Sequence, residues 1–234
     1  MHIKIFAMSV FILSVGFAGT AFAQKGVFSE ETKEQLKARS VLNTEFNPDQ
    51  EANLAVMGAP EHLRDDATIY VYTKSEGYKL HRQGKNEFIC LVNRDAFFYG
   101  TYTFKPTCWD REGHSSYVPV MLSVGKWLAE GLTTPVIKQK IESSFRNGIF
   151  HSSEKTGIAY MIAGDVLLDL ETGKVTERVF PGHHMLYAPG VTSVQMGTKG
   201  DVRQKDETLP FVFAEGAGGS KLAYIINSIG CVKY

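Results

Sequence analysis

The stretch ATIYVYTKSEGYKLHRQGKNEFICLVN, residues 67–93, sets the character of the chain. From Ala67 to Thr73 the residues are β-branched and aromatic, and their alternation puts Ile69 and Val71 on one face and Tyr70 and Tyr72 on the other. Gly77 opens a second strand running to Arg82, and Gly84-Lys85-Asn86 turns the chain into a third from Glu87 to Asn93. That third segment is apolar on both faces, Phe88, Cys90 and Val92 against Ile89 and Leu91, as expected of a strand inside a sheet. The three segments are expected to form an antiparallel meander.

Beyond the turn Asp110-Arg111-Glu112-Gly113 the period changes to that of helices. One is expected from about Ser116 to Glu130. A second has Thr134 as N-cap, Pro135 at its first position, Ile137, Ile141 and Phe145 at four-residue spacing, and Gly148 past its end. Strands then return at Gly157 to Ala163, Val166 to Leu170, Val175 to Phe180, Met185 to Ala188, Phe211 to Ala214 and Leu222 to Asn227. Strands, then helices, then strands imply an α+β fold, with an antiparallel sheet or sheets and two or more helices packed on one face.

In the other direction, residues 24–65 read as a helical lead-in to a single α+β domain at 66–234. Ser29 caps a helix reaching about Leu42, Asn47-Pro48-Asp49 interrupts the chain, and Asn53 to Met57 forms a short second helix closed by Gly58 and Pro60. Residues 1–23 read as an export signal. Lys4 gives the positive start, Ile5 to Phe17 the apolar run, and Ala21-Phe22-Ala23 the small-residue cleavage pattern, with Gln24 the first mature residue. The apolar run is too short and too broken to anchor a membrane, which takes about 20 residues. A periplasmic or extracellular location follows, and no later stretch is apolar enough to span a bilayer.

Cleavage removes 23 of 234 residues and leaves 211, enough for one domain with a substantial core. Lys4 is the only charge lost, so 24 basic residues face 25 acidic ones, a mature net charge of −1. That balance gives no support for nucleic acid or an anionic membrane surface as partner. The 44% hydrophobic and 12% aromatic content is that of a folded protein.

Export makes disulfides expected among Cys90, Cys108 and Cys231. Three pairings are open. Cys90 with Cys108 is favoured, because both lie in a strand-rich segment whose ends a hairpin-like return brings together, leaving Cys231 over.

No complete catalytic motif is present. Ser123-Val-Gly-Lys126 and Lys155-Thr156-Gly157 match fragments of the serine enzymes that act on β-lactams, yet only about thirty residues separate them and the third motif of that class is missing between them. There is no Gly-x-Ser-x-Gly turn, and His151-Ser152-Ser153 reads as a polar loop. Gly216-Ala217-Gly218-Gly219-Ser220 lacks the Lys-Ser/Thr end of a P-loop and reads as a turn.

The densest set of candidate ligands is His183-His184-Met185-Leu186-Tyr187. In a strand, His183, Met185 and Tyr187 share one face and His184 takes the other. His183, His184, Asp110 and Tyr187 are the candidate ligand-binding residues, with His183, Met185 and His114 as an alternative metal set. Tyr70, Tyr72, Tyr78, Phe97, Phe98, Tyr99, Tyr102 and Trp109 divide between a core and an aromatic pocket.

Gly84-x-Asn86-x-Phe88-x-Cys90, Pro106-x-Cys108-x-Asp110-x-x-Gly113 and His183-x-Met185-x-Tyr187-x-Pro189 resemble segments of a group of uncharacterised exported bacterial proteins. The resemblance covers roughly residues 55–190. It implies a bacterial secreted or periplasmic protein, brings no activity with it, and marks Cys90, Cys108 and His183 for attention. The leading reading is a non-catalytic binding or envelope-associated domain whose ligand or envelope partner is unknown, with no cofactor implied. The alternatives are a metal-dependent or other hydrolase centred on His183 and His184, and a small-molecule sensor with an aromatic pocket.

Overall fold

Asn47-Pro48-Asp49 starts a helix. The Asn47 Oδ1 accepts from the Asp49 N–H at 3.0 Å and Pro48 takes the first helical position, where a missing N–H leaves no bond unmade, so α1 spans Pro48–Val56. This corrects the expected interruption there and the expected helix start at Asn53. A single turn, α2 (Glu61–Arg64), follows. The structure is a computed structural model and describes residues 42–94, 103–197 and 209–229. The expected export signal, most of the helix from Ser29, the run Phe97-Phe98-Tyr99-Gly100, Tyr102 and Cys231 lie outside the described residues.

The strands in chain order are β1 (Thr68–Thr73), β2 (Gly77–Arg82), β3 (Ile89–Asn93), β4 (Lys105–Trp109), β5 (Ile158–Met161), β6 (Asp165–Leu168), β7 (Val175–Phe180), β8 (His183–Tyr187), β9 (Phe211–Phe213) and β10 (Tyr224–Ser228). Eight form one sheet in the order β2-β1-β3-β4-β5-β8-β10-β9, and β6 pairs with β7 in a separate hairpin. The class is α+β, but the large sheet is mixed, which corrects the antiparallel expectation. The meander is not formed, because β1 lies between β2 and β3, antiparallel to the first and parallel to the second.

The reason lies in the link from β2 to β3, which crosses the start of β1. Lys85 and Asn86 both donate their N–H to the Asp66 carbonyl, at 2.8 and 2.9 Å, and the Thr68 N–H then meets the Phe88 carbonyl at 2.9 Å. A Cβ on Gly84 would stand 2.2 Å from the Asp66 oxygen, so the crossing requires glycine. The parallel ladder is brief, with only Thr68–Ile89 and Ile69–Cys90 as partners. Past it, side chains take over the backbone groups: Tyr78 donates its hydroxyl to the Val92 carbonyl at 2.6 Å, and the Tyr72 N–H donates to Glu51 Oε1 at 3.1 Å.

Between β4 and β5 run α3 (Arg111–Ser115), α4 (Tyr117–Ala129) and α5 (Thr134–Arg146). The expected turn at Asp110 is the capped start of α3. The N-cap of α5 is Thr133, one residue before the expected Thr134, and Gly148 follows its end with φ +68°. Ile137 and Ile141 of α5 are buried, as their spacing predicts.

Alternation along β1 and β3 splits the core into two clusters. Tyr72 and Leu91 join Trp109, Met185, Val120, Val124, Ile137 and Ile141. Ile69, Val71, Cys90 and Val92 join Cys108 with Ala52, Leu54 and Ala55 of α1. Cys90 and Cys108 face each other across β3 and β4, with their Cα atoms 4.1 Å apart, and form the expected disulfide. Among the described residues no helix is long and apolar enough to cross a membrane.

Candidate functional site

Asp110 directly follows β4 and caps α3, and its carboxylate is surrounded by donors. Oδ1 accepts from the Gly113 N–H at 3.1 Å and from the Tyr187 hydroxyl at 2.9 Å, while Oδ2 accepts from the Ile158 N–H at 2.8 Å. The strands explain the meeting, since Tyr187 closes β8 beside the start of β5. Glycines make room: a Cβ on Gly113 would lie 2.5 Å from the Tyr187 hydroxyl, and one on Gly157 would lie 2.7 Å from Asp110 Oδ2. Gly157, which sequence had offered as part of a serine-enzyme motif, is therefore a packing residue.

Rings seal this latch from behind. Tyr117 lies 4.4 Å from Tyr187 and 4.6 Å from Tyr224 between ring centres, and Trp109 Nε1 donates to the Tyr224 hydroxyl at 2.9 Å. Burial, and then the charge of Asp110, hold the Tyr187 phenol far above the usual tyrosine range. Burial also raises Tyr117. His114, on α3, stays below the usual histidine value chiefly through burial, and its Nε2 has no hydrogen-bond partner among the described residues.

His183 stands at the opposite end of β8, four residues and about 13 Å from Tyr187 at strand rise. It is 2% exposed, packs edge-on against Phe180 with centres 5.0 Å apart, and donates from Nδ1 to the Pro181 carbonyl at 2.8 Å. That bond puts the proton on Nδ1 and leaves a lone pair on Nε2. Burial, with smaller contributions from His184 and Lys105, lowers His183 to about 4, so the ring is neutral at ordinary pH. His184 points to the other face, its Nε2 3.2 Å from the Asn227 amide nitrogen and so its acceptor. Met185 is a core residue. Asp110 and Tyr187 thus meet with His114 nearby, whereas His183 and His184 belong elsewhere. No group of three or more His, Cys, Asp or Glu that could hold a metal occurs among the described residues.

The remaining motifs are also absorbed by the fold. The Ser123 hydroxyl donates to the Pro119 carbonyl of its own helix at 2.8 Å. Glu112 Oε1 holds the backbone N–H groups of Glu154 and Lys155 at 2.8 and 3.2 Å. Ala217 of the glycine-rich stretch is a core residue, as is Leu222 just beyond it. Tyr72, Trp109 and Tyr117 are buried, which spends them on packing.

Two features escaped sequence reasoning. Glu51 of α1 is 1% exposed and forms a two-oxygen contact with Arg94 Nη2, at 2.9 and 3.1 Å. The Arg94 guanidinium lies 4.3 Å over the Tyr72 ring. Burial raises Glu51 to about 7 against the pull of Arg94. The available signal was that Glu51 extends the helical face of Leu54 and Ala55 at three- and four-residue spacing. The second is a set of buried polar residues, Thr103, Lys105 and Thr107, along the chain into β4. A surface cleft of about 350 Å³ between the β1–β2 turn and α4 is walled by the pairs Glu76–Lys79 and Lys126–Glu130.

Comparison with protein-family models, with curated proteins and with solved structures finds no match.

Proposed function

We propose that the chain is an exported bacterial protein, periplasmic or secreted, that acts as a non-catalytic binding or envelope-associated domain. The observation that carries this reading is the engagement of Asp110: three donors of the same chain occupy its carboxylate, so the residue best placed to act as an acid or base is committed to holding β4, α3, β5 and β8 together. The residues at 1–23, the resemblance to exported proteins and the Cys90–Cys108 disulfide support export. In this reading α4 and α5 cover one face of the large sheet and α1 the other, and binding uses the rims.

Expression of the full chain in a bacterial host tests the proposal. Fractionation with N-terminal sequencing should find a product beginning at Gln24 outside the cytoplasm. Purified protein should leave ester, amide and phosphoester substrates unturned. An unprocessed cytoplasmic chain would sink the export part, and turnover that disappears in both His183→Ala and His184→Ala would sink the non-catalytic part in favour of the hydrolase.

A further inference from the structure

The two faces of the large sheet are covered unequally. On one, Ala159, Met185 and Ile226 share a core cluster with Val124 and Ile137 of the helices. On the other, Ile69, Cys90 and Cys108 share the second cluster with Leu54 and Ala55 of α1, and among the described residues this cluster takes nothing from β5, β8, β10 or β9. Those four strands nevertheless direct five large apolar side chains to that side: Ile158, Tyr160, Leu186, Ile225 and Val212, each next in sequence to a residue of the first cluster. All five are half-buried, and none belongs to either cluster. Register lines them up, since Ile158 is the partner of Leu186, Leu186 of Ile225, and Ile225 of Val212. Beside this row Tyr160, His184 and Asn227 form a second one.

This face suits a second copy of itself. A two-fold contact sets a surface against the same surface, so any charge on it meets its own kind; the two rows include no Asp, Glu, Lys or Arg. A two-fold axis between two such sheets, parallel to the strands and midway between β8 and β10, lays β8 over β10 and β5 over β9. Leu186 then meets Ile225 and Ile158 meets Val212, each twice, in the aligned packing of sheets about 10 Å apart. Both β10 strands run the same way about this axis, so both chain ends leave at one edge of the contact. The Ile229 N–H continues the ladder of β10 by donating to the Gly182 carbonyl at 2.9 Å. Two residues further along the sequence, outside the described residues, comes Cys231, the cysteine left over once Cys90 and Cys108 are joined. A leftover cysteine in an exported chain suits a link between chains. The size of the face gives such a link a purpose: four strands of three to five residues outline roughly 300 Å², well short of the about 800 Å² that a stable interface buries on each partner.

We propose that the face built by Ile158, Leu186, Ile225 and Val212 joins the same face of a second copy of the chain, and that a disulfide between the two Cys231 residues locks the dimer. Two thiols are oxidised in that step: they lose two protons and two electrons to a disulfide oxidant of the export compartment, which leaves as two thiols. The apolar rows choose the orientation and hold the thiols at a high local concentration. The bond in turn makes a small contact permanent. Assembly of this kind is independent of what the domain binds and of whether it is catalytic.

Oxidation of the purified protein with glutathione disulfide tests it, read by non-reducing intact mass, peptide mapping and sedimentation. The expected product is a dimer linked through Cys231, with the Cys90–Cys108 bridge intact in each copy. Leu186→Glu and Ile225→Glu each set a charge against the second copy and should slow the linkage about tenfold. Leu80→Glu, at an exposed apolar residue of β2 away from this face, should leave the rate as it is. A Cys231 that stays reduced, or that ends capped by glutathione on a monomer, overturns the proposal, as does an undiminished rate in both Leu186→Glu and Ile225→Glu. Should those two variants fail to fold, Val212→Glu on the edge strand β9 carries the test, and a rate equal to wild type there overturns the proposal. The added oxidant replaces that of the export compartment, so a failure of the export reading leaves this result standing.

Discussion

Glu51 and His183 are both buried ionisable groups, and their opposite displacements set how stability depends on pH. Glu51 rises from an ordinary 4.5 to about 7, and His183 falls from 6.5 to about 4. Between about pH 4.5 and 6.5 folding makes Glu51 take up a proton, so its contribution is complete at low pH and is lost as pH rises towards 7. Over the same window folding makes His183 release a proton, so its contribution is complete above 6.5 and is lost as pH falls towards 4. Each contribution changes by about 1.4 kcal/mol per pH unit, with opposite sign, and the two cancel in the wild type. Glu51→Gln retains an acceptor for the Tyr72 N–H and removes the titration. Its stability relative to wild type should therefore climb by about 1.4 kcal/mol per unit, or about 3 kcal/mol from pH 4.5 to 6.5. His183→Leu should drift the other way by a similar amount. Urea unfolding at pH 4.5, 5.5 and 6.5, with all three proteins compared at each pH, reads these differences and cancels every group they share. A Glu51→Gln difference that is level or falls with pH would refute the reasoning, since it would mean that Arg94 holds the carboxylate ionised despite its burial.

The other predictions concern the latch, the crossing and the staple. Asp110→Ala removes the acceptor for two backbone N–H groups and the Tyr187 hydroxyl, and should destabilise by about 3 to 5 kcal/mol in urea unfolding, with Asp110→Asn milder because it keeps one oxygen. Gly84→Ala pushes a methyl into the Asp66 carbonyl and should cost at least about 2 kcal/mol, whereas Gly190→Ala, at a glycine with open space around it, should cost only its unfavourable φ of +76°. Opening the Cys90–Cys108 bridge in the double serine variant should cost about 3 kcal/mol for a sequence separation of 18. Intact mass with alkylation before reduction checks the bridge itself: neither cysteine should be labelled in the untreated protein.

Much of the fold was legible where the information is local. The alternation of Ile69 and Val71 with Tyr70 and Tyr72 separated the two faces of β1, and those residues fill different core clusters. The borders of α5 were readable to within one residue, because Pro135 and Gly148 act through their own backbone. The start of α1 was misread at Asn47-Pro48, a pair that suits an N-cap and first helical position as well as it suits a break. Among the candidate site residues, the pairing of Asp110 with Tyr187 emerged only from the fold, across 77 positions of sequence.

The sequence by itself determined the α+β class and the placing of most strands and helices, and among three open cysteine pairings it favoured the one that a hairpin-like return would join. Those follow from side-chain period, φ preferences and spacing, which neighbouring residues carry between them. Only the tertiary structure decided that β1 slips between β2 and β3, that Glu51 is buried against Arg94, and that His183 and Tyr187 serve opposite ends of one strand. Strand order and burial depend on which distant backbone and side-chain groups satisfy one another once water is excluded, and no local pattern records that choice.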